Sequence, residues 1–101
     1  MQGRMLVRND ILNLLREHKT VLTQRFGVVE LSLFGSFARD QATEASDIDI
    51  LVQFDGPATS ERYFGVQFYI EDLLDQPVDL VTDKALRAEF RPYVEQEAIR
   101  V

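Results

Sequence analysis

Phe34-Gly35-Ser36-Phe37-Ala38-Arg39-Asp40, followed after a polar stretch by Ser46-Asp47-Ile48-Asp49-Ile50-Leu51-Val52, is the part of this chain whose reading decides the fold. Ahead of Gly35, residues 28–34 read as a strand, with Val29, Leu31 and Leu33 predicted to share one face. Gly35-Ser36 ends that strand abruptly. Residues 37–41 fit a short helix and 42–46 a polar loop. A second strand, rich in Ile, Leu and Val, is expected over residues 47–54. Asp55-Gly56-Pro57 stops it, because this cluster favours a turn and proline lacks the amide that a ladder needs.

Outward from this centre the apolar spacing becomes helical. Leu6, Ile11, Leu12, Leu14, Leu15, His18, Val21 and Leu22 recur at intervals of three and four, with Arg8, Asn13, Arg16, Glu17 and Lys19 on the other side. Asn9 or Asp10 is a candidate cap, and Gly27 suits the far end. His18 is the only histidine and has no metal-ligating neighbour in sequence, so it reads as a packing or helix-surface residue. Downstream, residues 60–74 form a second amphipathic helix with Ser60 as candidate cap, ended by Asp75-Gln76-Pro77. Residues 78–81 read as a short third strand. Asp83 would cap a last helix over 85–90, interrupted or restarted at Pro92, and residues 98–101 form a fourth short strand or a tail. The order of helix, strand, short helix, strand, helix, strand, helix is that of an α/β (α+β) protein. One sheet flanked by helices accounts for it economically, with strand directions left open.

Size and charge narrow the function. The 101 residues suit one domain, residues 1–101, and a hydrophobic share of 46% supplies one core. No apolar run approaches the ~18 residues of a membrane span, and no signal-peptide pattern follows Met1. Cysteine is absent, which excludes disulfides and thiolate metal sites; a cytoplasmic protein is expected. A net charge of −6 without a Lys/Arg block argues against direct nucleic-acid binding, which needs several cations to displace phosphate counterions. It suits divalent cations or a basic partner protein.

The chemistry gathers at the opening stretch. Asp47 and Asp49, two apart in a strand, leave the same face with Cα atoms roughly 6.5 Å apart. Two such charges raise each other's pKa unless a cation or donor compensates, and hard divalent ions favour carboxylate oxygens. Alone, Asp-x-Asp is a commonplace strand start. Gly35-Ser36, a glycine-serine turn between strand and helix, offers amides, a hydroxyl and close backbone approach to a phosphate. Asp79, flanked by Val78 and Leu80, is a charge in mid-strand that wants an explanation. If the third strand lies beside the second, Asp79 joins Asp47 and Asp49, and three carboxylates suit a two-metal in-line phosphoryl displacement. Asp79 would then serve as general base or as the group that orients the nucleophile.

Gly35-Ser36 through Arg39-Asp40, the spacer, and Asp47-Ile48-Asp49-Ile50-Leu51-Val52 resemble the signature of the DNA polymerase beta-like nucleotidyltransferases. The branch they most resemble is the minimal nucleotidyltransferases, antitoxin partners of HEPN-domain toxins. The resemblance extends from the first helix through Val81. It implies a small mixed β-sheet flanked by helices, ATP as substrate, and two Mg2+ ions held by Asp47, Asp49 and Asp79. Gly35 and Ser36 would hold the β- and γ-phosphates, and Arg39 matches the basic position of the motif, where it neutralises phosphate or pairs with the partner. Asp40 departs from the pattern, since many members carry glycine there.

In that branch the acceptor is a tyrosine of a HEPN ribonuclease toxin, which is inactivated by AMP transfer. The chain shows no second domain for an acceptor, so a protein partner is expected to complete the site. The helix carrying Tyr63, Phe64, Phe68 and Tyr69 is more aromatic than one core face requires, and is read either as core packing or as an interface. The alternatives to a protein adenylyltransferase are a non-catalytic antitoxin that occludes its partner, and nucleotidyl transfer to RNA or a small molecule.

Overall fold

The computed structural model describes residues 6–101. Helix α1 (Arg8–Phe26) leads into strand β1 (Val28–Phe34), the one-turn helix α2 (Gly35–Ala38) and strand β2 (Ile48–Phe54). Helix α3 (Ser60–Leu74), strand β3 (Val78–Thr82), a 3-10 turn at Asp83–Ala85, helix α4 (Arg91–Glu97) and the two-residue strand β4 (Ile99–Arg100) complete the fold. The sheet is mixed, in the order β3-β2-β1-β4. β2 runs antiparallel to β1 and parallel to β3, and β4 runs antiparallel to β1.

Period two assigns the two faces of the sheet. Ile48, Ile50, Val52 and Phe54 of β2, with Leu31 and Leu33 of β1 and Val78 and Leu80 of β3, are buried against α1 and α3. Ile11, Leu15 and Leu22 of α1, and Val66, Ile70 and Leu74 of α3, close that core. α3 lies close to α1 because residue 65 is glycine: a Cβ there would collide with the Phe26 ring. The alternate positions, including Phe34, Asp49, Leu51, Gln53, Asp79 and Val81, take the opposite face.

Several local expectations are corrected. Val29 is 43% exposed, and Val28 is buried in its place, because an extra residue between the Val28 and Glu30 pairings forms a bulge that flips the alternation. The short helix begins two residues earlier than expected, at Gly35, and ends at Ala38. The last helix does not cover 85–90. It is restarted near Pro92, which sits in the first turn of α4, where a missing amide proton costs nothing. Caps shift by one residue as well: Thr59 and Thr82, rather than Ser60 and Asp83, accept the amides of Arg62 and Ala85. α1 starts at Arg8, ahead of both candidate caps, with Asp10 accepting the Val7 amide. Gly27 does end α1, at φ 75°, donating to the Thr23 carbonyl. His18 is a packing residue: its Nδ1 lies 2.6 Å from the Tyr69 hydroxyl.

β3 is an edge strand, and its exposed backbone is covered. Tyr63, Gln67 and Glu71, one helical turn apart on α3, reach it in sequence. The Tyr63 hydroxyl donates to the Leu80 carbonyl at 2.5 Å, and Gln67 Nε2 donates to the Val78 carbonyl at 3.2 Å. Glu71 Oε2 accepts the Val78 amide at 3.0 Å. These three bonds fix the backbone on both sides of Asp79.

Candidate active site

Three strand positions converge where β1 ends. Asp49 pairs with Phe34, the residue before Gly35, and on its other side stands in register with Asp79. Parallel register places both carboxylates on the same face, within hydrogen-bonding reach of each other. Partial burial and the Asp79 charge beside it push the Asp49 carboxyl up to about 6; Asp47 adds to the rise and Arg39 opposes it. Asp47 is exposed and lies one residue before β2, so the strand begins at Ile48 rather than at the first aspartate. Among the described residues no three His, Asp or Glu side chains close into a ready-made cation cage. Asp49 and Asp79 are the pair that meets, with Asp47 at the rim.

Gly35 is required by its place. Its φ is +75°, a left-handed conformation costly for other residues, and the Asp49 side chain lies directly over its Cα. A Cβ on residue 35 would fall onto Asp49 Oδ2 and stand 2.8 Å from Cγ. The turn and the aspartate strand are therefore one packed unit. Ser36 is half-buried, and its hydroxyl makes no hydrogen bond to any described residue. Its carbonyl accepts the Gln41 amide at 2.9 Å, and Arg8 Nη1 from α1 donates to the Ala38 carbonyl at 3.2 Å, so the turn is braced from both sides. Asp40 has φ 60°, which explains why glycine suits this position in the motif: the chain must leave α2 through left-handed backbone.

Sequence reasoning missed Glu97, the last residue of α4. Its Oε1 accepts the Gly35 amide at 3.1 Å, and its Oε2 pairs with Arg39 Nη1 at 2.8 Å. Arg39 Nε also donates to Gln41 Oε1 at 3.3 Å. No local spacing marks Glu97, which lies 62 residues from Gly35. A groove of about 240 Å³ runs farther along the same sheet face past Leu51 and Gln53 to Glu30 and Arg100. None of the three aspartates lines it. The geometry of carboxylates and turn, not the size of the cavity, locates the site.

Comparison with known proteins gives the family of the chain. The family model of the nucleotidyltransferase domain matches residues 15–101, and the chain belongs to that family. Within it, the chain is similar to the protein adenylyltransferase MntA of Thermococcus cleftensis, at 38% identity over 97 residues, covering 96% of this chain and 98% of the relative. A solved structure provisionally named a minimal nucleotidyltransferase superposes with a TM-score of 0.82 at 34% identity, covering 98% of this chain and all of that one. At 22% identity the fold also matches a structure of tri-AMPylated Shewanella oneidensis HEPN toxin in complex with MNT antitoxin, with a TM-score of 0.58 over 92% of this chain and 67% of that one. The expected mixed sheet flanked by helices is the fold observed, and the protein is a nucleotidyltransferase of the minimal type.

Proposed function

We propose that this enzyme transfers AMP from ATP to a hydroxyl of a HEPN ribonuclease toxin, a tyrosine in the first instance, and so acts as its antitoxin in the cytoplasm. The observation that carries the reading is the in-register Asp49–Asp79 pair lying against the Gly35-Ser36 turn. Facing carboxylates, with the Asp49 carboxyl raised by burial and by the Asp79 charge, are the donor set that a hard divalent cation compensates. Asp47, Asp49 and Asp79 would hold Mg2+, two ions in the filled site, which would supply charge neutralisation at the triphosphate. The Gly35 amide, the free Ser36 hydroxyl and Arg39 would bind the β- and γ-phosphates. Asp79, pinned by α3, would orient the acceptor hydroxyl and take its proton as oxygen attacks the α-phosphorus and pyrophosphate leaves.

The activity named for the Thermococcus relative and the AMPylated HEPN toxin of the Shewanella complex support this donor and this partner class. An apolar patch suited to a protein partner is present on α3. Tyr63 and Tyr69 turn inward, whereas Phe64 and Phe68 are 48% and 63% exposed and stack with ring centroids 6.1 Å apart.

The test is incubation with α-labelled ATP, magnesium and the cognate HEPN protein. Label should appear on the partner, fall to background when the acceptor tyrosine is replaced by phenylalanine, and vanish with the Asp47→Asn, Asp49→Asn protein. Retained toxin suppression by that unlabelling variant at stoichiometric amounts would replace catalysis with occlusion.

A further inference from the structure

The Gly35 amide and the Arg39 guanidinium face one carboxylate, and it belongs to the chain itself. Glu97 spans them with both oxygens, at 3.1 Å and 2.8 Å, and its side chain is only 25% exposed. A carboxylate that accepts from a backbone amide with one oxygen and from a guanidinium with the other makes the pattern that a phosphate makes. We infer that Glu97 is an internal phosphate mimic: it holds the phosphate donors in place in the empty enzyme and must swing out before a nucleoside triphosphate can bind. The inference rests on the assignment of Gly35 and Arg39 to the β- and γ-phosphates.

Three features fit a residue that yields rather than one that locks. Glu97 ends α4, and the next residue is already extended, so its side chain can turn away without unwinding the interior of the helix. The pair with Arg39 is partly solvated, with Arg39 46% exposed, and such pairs contribute modestly to stability. The rest of α4 is anchored independently of the site: Arg91 donates to Asp83 Oδ1 at 3.0 Å and to the Asp83 carbonyl at 2.9 Å. Displacement demands an anion that makes both contacts at once. A triphosphate chain does so, whereas a nucleoside monophosphate has no β- or γ-group to offer. Glu97 would therefore sharpen the choice of triphosphate over monophosphate, in addition to slowing entry.

The experiment is calorimetric titration of ATP, and separately of AMP, into the wild-type chain, Glu97→Gln and Glu97→Ala. Glutamine keeps an acceptor for the Gly35 amide but gives up the charge; alanine removes both contacts. ATP should bind roughly three- to tenfold more tightly to both variants, the order expected for removing a partly solvated competing ion pair. AMP affinity should stay where it is. Equal ATP affinity in all three proteins would overturn the mimic, and weaker binding in the variants would show that Glu97 instead holds the turn in its binding shape. Absence of ATP binding at millimolar concentration in all three folded proteins would instead remove the phosphate assignment itself, and the inference with it.

Discussion

The β3 side of the site and its β1 side are held in opposite ways. Around Asp79, three α3 side chains bond the edge-strand backbone at Val78 and Leu80, each from within the fold. Around Gly35 and Arg39, the side chain that bonds both is one partly solvated carboxylate, Glu97, with Arg8 bracing the turn at the Ala38 carbonyl. Under the proposed function the difference follows from what each side would have to do. Carboxylates that repel each other have to be kept together by covalent and backbone geometry, whereas phosphate donors have to be free when the ligand arrives.

Joining the two sides is the contact of Gly35 with Asp49, and breaking it should have the largest effect. In Gly35→Ala the new methyl meets Asp49 Oδ2 and the backbone must keep or abandon φ +75°. A non-glycine residue held there costs about 1–3 kcal/mol. Displacement of Asp49 by about 1 Å should lower transfer on the order of 10²-fold. Urea unfolding and AMP-transfer rates on the same preparation check both. A variant that keeps wild-type rate would show that turn and aspartate strand are not one unit.

Loosening the α3 side alone is the next test. Gln67→Ala and Glu71→Ala each free one backbone group beside Asp79, and should lower magnesium-dependent transfer by about 10- to 100-fold, the range for groups that orient a ligand rather than being one. Stability should fall by about 1 kcal/mol per lost hydrogen bond. A structural role alone would lower the melting temperature without changing the magnesium concentration needed for half-maximal rate. Moving that concentration is the outcome that assigns these residues to positioning Asp79.

How much of this contrast could be read beforehand depends on range. Strand parity is local, so the shared face of Asp49 and Asp79, and the turn after Phe34, followed from period two and their order along the chain, whereas Asp47 lies one residue ahead of the strand that was expected to carry it. Parity failed at Val29 because a bulge adds a residue without leaving any mark in the apolar pattern. The Tyr63, Gln67 and Glu71 row escaped notice because two polar residues on a helix look like solvent-facing positions until an edge strand is known to lie beneath them. Glu97 escaped because its partners are set by tertiary packing and because the last helix was expected too early, over 85–90 instead of Arg91–Glu97.

The burial of Asp49, and the repulsion from Asp79 that the β2–β3 register enforces, should also be visible in stability. The Asp49 carboxyl rises from 3.8 to about 6 in the folded chain, so between those values the folded state binds more protons than the unfolded state. Stability contributed by this group is therefore fully present below pH 3.8 and is lost as pH rises through about 6. Asp49→Asn removes the titration. In magnesium-free buffer its melting temperature should gain on wild type progressively from pH 4 to pH 7, while its transfer activity is lost. A constant difference across that range would mean that neither burial nor the Asp79 charge raises the Asp49 carboxyl.

The smallest effect belongs to the exit from α2, where the phosphate side carries strain with no role in the chemistry. Asp40 stands at φ 60°, as Asp75 stands at φ 55° after α3, both in backbone that glycine adopts freely. Aspartate tolerates this region better than most residues, so the penalty is a fraction of the 1–2 kcal/mol charged to an ordinary side chain. Asp40→Gly should therefore raise unfolding stability by about 0.5 kcal/mol, net of the added chain entropy of glycine, with the urea m-value unchanged. Asp75→Gly should behave alike, since it shares the backbone conformation but not the neighbourhood. If only Asp40→Gly tightened ATP binding, the gain would come from the negative charge removed beside Arg39. If both variants gained stability and neither changed affinity, the left-handed backbone alone would account for the glycine preferred at this point of the motif.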